Sequence, residues 1–330
     1  FHVKWLLAVR SRKPKRFILS CMINYKVILL AITLFPALLR AQCFSSVNPV
    51  GGTNNLLVLE KNSLRVISFY KYGRSNRYYE GPGPSDYTYI KDADYNYLSA
   101  IIGYGLTTKM TLEMETGYFL NKTYNYVNSP DPHTGKGLSN IVLLAKHSIY
   151  SDQINRFYIT GAAGPKIPFT RNYQLVNNIQ LPVEVQPTIG AYGAVLSTSF
   201  VKENSETGTR YFLTNRLELN ASNKYDYKLG TSFYNSLYIS RHLMFSWLKG
   251  DWTAIVQLRN EFRAPDRLAG ERKSSSGSTL FFVAPQINYV VKDEWYISGM
   301  FDLPVYQNFK GTQLEAGTGF TVIVSKTFML

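Results

Sequence analysis

The sequence predicts an all-β chain: a transmembrane antiparallel β-barrel of about twelve strands, with ten and fourteen as the neighbouring counts. Three observations predict it. Apolar and polar residues alternate with a period of two, the alternating segments are long, and short connections take turns with long ones. After residue 42 there is neither a clear helical periodicity nor an apolar run long enough for a membrane helix.

The candidate strands are 64–73, 95–107, 110–121, 137–150, 156–168, 187–201, 210–221, 227–240, 250–263, 279–291, 295–304 and 313–328. Met110, Leu112, Met114, Thr116, Tyr118 and Leu120 alternate with Thr111, Glu113, Glu115, Gly117 and Phe119. Trp252, Ala254, Val256 and Leu258 alternate with Thr253, Ile255, Gln257, Arg259, Glu261 and Arg263. Leu314, Ala316, Thr318, Phe320, Val322 and Val324 alternate with Glu315, Gly317, Gly319, Thr321 and Ser325. A soluble sandwich would turn such an apolar face to a core, whereas a membrane barrel turns it to lipid.

Length and punctuation favour the barrel. Most segments exceed the roughly five or six residues of a globular strand and meet the roughly 9–11 of a tilted spanning one. The connections 74–94, 122–136, 169–186 and 264–278 are long, and 108–109, 151–155 and 292–294 are short. That alternation, with an even strand count, is the bacterial outer-membrane pattern. The segments 222–226, short for its place, and 241–249, long for its place, blur it.

Aromatic residues near strand ends suit interfacial girdles. Phe69, Tyr70, Tyr72, Tyr95, Tyr97, Tyr118, Tyr150, Phe157, Tyr158, Trp252, Trp295 and Tyr296 are so assigned. The last strand ends on Phe328, the form of an amphipathic C-terminal strand recognised by the barrel-assembly machinery. Gly164-Pro-Lys-Ile-Pro168 reads as a strand end and Pro304 as the start of a loop over 305–312, because proline cannot donate to a ladder.

Ahead of the strands, 22–41 reads as a secretory signal: Met22, a basic start, the apolar run Val27 to Phe35, and Ala41 before Gln42. Residues 1–21 are then expected to be a non-native or variable N-terminal extension, and 42–63 a periplasmic segment or one tucked into the lumen. The barrel would occupy 64–328.

The 330 residues include 36 Lys and Arg against 22 Asp and Glu, a formal charge of +14. Residues 1–41 carry eight bases and no acid, so 28 bases and 22 acids remain, a balance of +6. Nucleic-acid binding thereby loses its main support. Charged residues are 18% and aromatics 15%, poor in charge and rich in the 25 tyrosines. Two cysteines, Cys21 and Cys43, suffice neither for a disulfide framework nor for a four-ligand zinc site. Metal sites and cofactors are not expected.

A Lys or Arg on the lipid face at mid-membrane costs roughly 2–4 kcal/mol, so strand charges should face the lumen. This assigns Glu113, Glu115, Arg216, Glu218, Gln257, Arg259, Glu261, Arg263, Asp302 and Glu315 to the lumen lining. They would brace the barrel by pairing, or Arg216, Arg259 and Arg263 would select an anionic or polar solute. A lipid hydrolase needs a Ser/His pair. His147-Ser148 is the sole adjacent one, and neighbouring strand residues point to opposite faces.

Several segments together resemble a family of outer-membrane transporters, the group named for the MetA pathway of phenol degradation, in its Bacteroidetes-type form. The matching stretches begin with Ala41-Gln42-Cys43, Gly103-Tyr-Gly-Leu-Thr-Thr-Lys-Met110 and Gly135-Lys-Gly-Leu-Ser139. Then come Gly164-Pro-Lys-Ile-Pro168, Gln186-Pro-Thr-Ile-Gly-Ala-Tyr192 and Pro304-Val-Tyr-Gln-Asn-Phe-Lys-Gly-Thr-Gln-Leu314. They follow the family's order from about residue 42 to 328. The chain departs from it at Phe44, Thr108, Ser139 and Lys310-Gly311. The resemblance implies a Gram-negative outer-membrane location and passive passage of a small solute, and it carries over no catalytic residue. The expected partners are outer-membrane lipid, the assembly machinery and a small-molecule solute. The alternative is a barrel without a substrate whose loops 74–94 and 169–186 engage a partner.

Overall fold

The computed structural model describes residues 56–330 apart from 246, 248, 293 and 294. The expected extension, the signal over 22–41, both cysteines and residues 42–55 lie outside the described residues.

Twelve long strands form a closed antiparallel cylinder. They are β1 Ser63–Ser75, β2 Ile90–Thr107, β3 Met110–Tyr126 and β4 Asn140–Asp152. Next come β5 Phe157–Pro168, β6 Gly193–Asn204, β7 Thr209–Asn220 and β8 Ser232–Leu243. The last four are β9 Asp251–Arg263, β10 Ser278–Val291, β11 Trp295–Leu314 and β12 Gly319–Met329. Each pairs with its sequence neighbours, and β1 closes on β12 from Ser63 opposite Met329 to Gly73 opposite Gly319. Closure leaves no barrel strand with an unpaired edge, the condition for crossing hydrocarbon with strands.

The wall alternates as the period-two pattern demands. Inward Thr111, Glu113 and Glu115 are buried, while outward Leu112, Tyr118 and Leu120 are 43%, 39% and 51% exposed. One mouth carries the tight turns, here called the turn end, and the other the long connections, the loop end. At the turn end Trp252 lies 4.4 Å from Tyr289, and the Lys326 ammonium sits over Trp295 and Phe328. At the loop end Phe320 packs between Tyr70 and Tyr72. Phe69, Tyr95 and Tyr97 do not join these girdles. They share the inward parity of Lys71 and Ser99 and pack inside with Phe119. Tyr158, inward like Thr160, likewise packs inside, against the cluster of Val201, Phe212, Tyr238 and Ile255.

Several boundaries differ from expectation. Residues 305–312 are strand, because β11 runs through Pro304 to Leu314. A register shift at Phe281/Phe282 places Pro304 at a bulge, where its missing N–H disturbs no regular ladder bond. The upper part of β11 then pairs with Tyr78–Gly81, one arm of a hairpin completed by Gly83–Ser85. Residues 315–318 of that alternation are accordingly a connection, and β12 begins at Gly319. Residues 187–192 stay out of β6. Tyr227–Lys228 joins Arg267–Leu268 instead of β8, which begins at Ser232 and lengthens the 222–226 connection. The segment 164–168 does close β5. A Cβ on Gly164 would meet the Leu143 carbonyl oxygen at 1.7 Å, so the wall of β4 leaves room only for glycine.

Residues 56–62, ahead of β1, lie against the inner wall at the turn end. The Leu59 N–H donates to Thr111 Oγ1 at 2.7 Å, and Thr160 Oγ1 donates to the Leu56 carbonyl at 2.8 Å. Leu56 packs with Val201, Phe212, Tyr238 and Ile255.

Candidate functional site: the barrel lumen

Strand parity delivers charge to the interior, and register decides which charges meet. On β7, Arg216 and Glu218 are two residues apart and so share the inner face. The Arg216 guanidinium donates to both oxygens of Glu115 on β3, at 2.9 and 2.8 Å, in a two-pronged pair. Its Nε donates to Glu218 Oε1 at 2.9 Å, and Lys166 of β5 holds the other Glu218 oxygen at 2.7 Å. Because β3 and β7 are not neighbours in the wall, the Arg216–Glu115 pair is a tie across the lumen.

A second group joins the opposite strands. Arg259 of β9 donates to Glu261 at 2.7 Å and to Asp302 of β11 at 2.8 Å, and Lys71 of β1 takes the other Asp302 oxygen at 2.8 Å. The guanidinium also lies 4.4 Å from the centre of the Phe282 ring. Gln257 donates to Ser236 and to the Tyr238 hydroxyl, both at 2.9 Å, which fills the inner face below Arg259. Glu113 pairs with Lys146 of β4 at 2.5 Å, nearer the turn end. Arg263 closes the inner face of β9 at its loop end.

Each of the ten residues singled out in the sequence is buried in the structure. Nine stand on strands. Glu315 lies in the β11–β12 connection, where its N–H donates to the Arg77 carbonyl at 3.0 Å. The parity argument applied equally to Lys71, Lys146 and Lys166, which fall inside the expected strands and were passed over. They supply the cations that Asp302, Glu113 and Glu218 need.

Above the Arg216 group, a cavity of about 730 Å³ reaches the loop end. Tyr78, Tyr97, Phe119, Tyr124 and Tyr126 line it, and Glu115, Lys166, Arg216 and Glu218 form its floor. At its rim Tyr87 and Tyr89 are 52% and 57% exposed. The long connection after β5 folds inward across this mouth, with Leu181 and Val185 buried among the tyrosines. The side chain of Gln186 holds the fold of that connection: its Oε1 accepts from the Gln174 N–H at 2.8 Å, and its Nε2 donates to the Leu181 carbonyl at 2.9 Å. On the far rim the Tyr227 hydroxyl donates to Asp266, whose other oxygen accepts from the Gly230 N–H. Burial, reinforced by the Asp266 carboxylate, pushes the Tyr227 phenol well above its usual range.

Among the described residues, His147 and Ser148 form no hydrolytic constellation. His147 is exposed on the outer face of β4, Ser148 stands at a ladder irregularity, and no hydrogen bond joins them. Among the described residues no group of three or more His, Cys, Asp or Glu side chains is arranged to hold a metal ion.

A closed twelve-stranded antiparallel cylinder with an apolar outside and a charged inside defines an outer-membrane β-barrel fold. No family model matches the chain, and no curated protein sequence matches it. Among solved structures it is similar to the COG4313 outer membrane channel from Pseudomonas putida F1. The TM-score is 0.63 at 12% identity, over 86% of this chain and 100% of that one. It is also similar to the beta domain of the Bordetella autotransporter BrkA, with a TM-score of 0.50 at 8% identity, over 81% and 100% of the two chains.

Proposed function

We propose that the chain is an outer-membrane channel for passive or facilitated passage of a small solute of hydrophobic character. The observation that carries this reading is the tyrosine-walled cavity of about 730 Å³ that leads from the loop end to the Arg216 group. Aromatic walls take up apolar molecules, and phenol hydroxyls keep such a chamber wetted. The Arg216–Glu115 tie is then the constriction that a solute must pass or displace. In this reading the loops face the exterior and the turns the periplasm, 22–41 is removed on export, and the strand ending at Phe328 engages the assembly machinery. The fold likeness to a channel and the resemblance to the phenol-pathway transporter family support it.

Liposome swelling with graded sugars beside a panel of aromatic hydrocarbons tests the proposal. Aromatic flux well above that of sugars of similar size is expected, and Glu115→Gln should raise it. The ties across the lumen and the placement of Leu56 and Leu59 at the turn end favour a second reading, a barrel that conducts nothing and presents its loops to a partner. Absence of flux from both wild type and Glu115→Gln selects that reading.

A further inference from the structure

A row of polar side chains crosses the outer face of β6 to β9 inside the apolar belt. Thr198 stands opposite Asn215 in the ladder, Asn215 opposite Asn235, and Asn235 opposite Asn260. All four have outward parity, since Ser199, Thr214, Arg216, Tyr234, Ser236, Arg259 and Glu261 beside them are buried inside. On their own strands they are bracketed by Leu196 and Phe200, Leu213 and Leu217, Phe233 and Leu237, and Leu258 and Phe262. The row therefore lies at hydrocarbon depth.

Among the described residues, β10 to β12 carry no such row. The outward positions of β10 to β12 read Phe281, Val283, Ile287, Ile297, Phe301, Phe320, Val322 and Val324. Asn96 and Asn121 on β2 and β3 also point outward, but Asn96 donates to Asn121, and Asn121 donates to Asp94 and Thr123, where the wall turns polar at the loop end.

The amides of the row are only partly satisfied by one another. Asn215 Nδ2 donates to Thr198 Oγ1 at 3.2 Å, Asn235 Nδ2 to Asn260 Oδ1 at 3.5 Å, and Asn260 Nδ2 to the Leu280 carbonyl at 3.1 Å. Each primary amide has two N–H donors and an oxygen with two lone pairs, so capacity is left over toward the acyl chains. Acyl chains offer it no partner, which makes the exposed row unfavourable unless something polar covers it. A surface hollow of about 520 Å³ opens on the row itself: Thr198 and Asn215 line it with Gly161, Leu217, Phe233 and the outward His147, which continues the same ladder row through Gly161. It gives room for the side chains of an apposed surface.

We propose that this face is a self-association surface, and that its occupant is a second copy of the same chain. The covering group must be uncharged, must both donate and accept, and must present those groups at this depth. A second barrel inserted in the same orientation meets all three conditions with the same amides. Around a twofold axis along the membrane normal, two inclined rows cross at one point. With the axis between β7 and β8, Asn215 and Asn235 of each copy meet at that crossing. Interhelical amides play the same adhesive role between membrane helices. The inference is independent of the channel reading, because none of these side chains lies in the lumen.

The test compares the wild type with Asn215→Leu/Asn235→Leu, by sedimentation in detergent and by mass measurement in lipid nanodiscs. Leucine is favourable on a lipid face, so the variant is expected to fold, which its heat-dependent shift in gel mobility checks. The wild type should be dimeric and the double variant monomeric, with the dimer fraction falling at least tenfold at equal concentration. In a Cys21→Ser/Cys43→Ser background, Asn235→Cys should form a disulfide-linked dimer in membranes, whereas Val322→Cys on the opposite wall should not. A monomeric wild type in both media overturns the proposal, as does a double variant as dimeric as the wild type, or equal crosslinking at Asn235→Cys and Val322→Cys.

Discussion

The middle of the lumen and the chamber above it are built from different parts and answer to different physics. Mid-lumen contacts come from strand residues: Arg216, Glu115, Glu218 and Lys166 on one side, Arg259, Asp302 and Lys71 on the other. Their positions follow from ladder register, so geometry is good and every ion has a partner. The chamber draws its walls from strand ends and from connections that fold inward, such as Leu181 and Val185. The contrast teaches that strand register fixes the charged layer, whereas inward-folded connections shape the aromatic one, to which the proposed channel assigns solute selectivity.

The largest effect is expected from Arg216→Ala, which leaves Glu115 and Glu218 buried with one cation fewer. Removing one partner of a buried pair costs about 3–5 kcal/mol. The urea midpoint of the folded barrel should fall accordingly, and adding Glu115→Gln should recover part of the loss. A variant as stable as the wild type would mean that water, not pairing, sustains these charges. Next in size, Arg259→Ala with Arg263→Ala should shift the reversal potential in planar bilayers toward cations. An unchanged potential would remove these arginines from selectivity.

Tyr124→Ala probes the chamber alone. Aromatic flux should fall several-fold with the urea midpoint nearly unchanged, and an equal loss in both would erase the division of labour. The smallest effect concerns the rim. A free phenol titrates near 10, and the docked Tyr227 titrates above that. Docking that keeps the proton is therefore favoured at full strength below pH 10 and weakens as the pH climbs through 10 toward the raised value. Tryptic cleavage at Arg267 and Arg272 should accelerate over that range in the wild type. Tyr227→Phe should abolish the pH dependence, and a pH-independent wild type would detach this hydroxyl from loop docking.

Much of this architecture was legible along the chain. The inward set Glu113, Glu115, Arg216, Glu218, Arg259 and Asp302 followed from parity and from the cost of charge in lipid. Three other assignments miscarried for identifiable reasons. Pro304 suggested a loop, but a bulge absorbs a missing N–H as well as a strand end does. Phe69, Tyr95 and Tyr97 suggested a girdle because closeness to a strand end was weighed ahead of parity. The charges on 71, 146 and 166 were overlooked although the same parity rule covered them.

By itself, the sequence determined the period of two, the side of the wall each residue occupies, and which connections are short. These are local properties, set by pleat geometry and by the difference between water and hydrocarbon. Only the closed cylinder decided that Arg216 reaches Glu115 and that Lys71 reaches Asp302. Those neighbours are up to 231 positions apart. Their meeting depends on strand stagger and closure, which no single stretch of chain encodes.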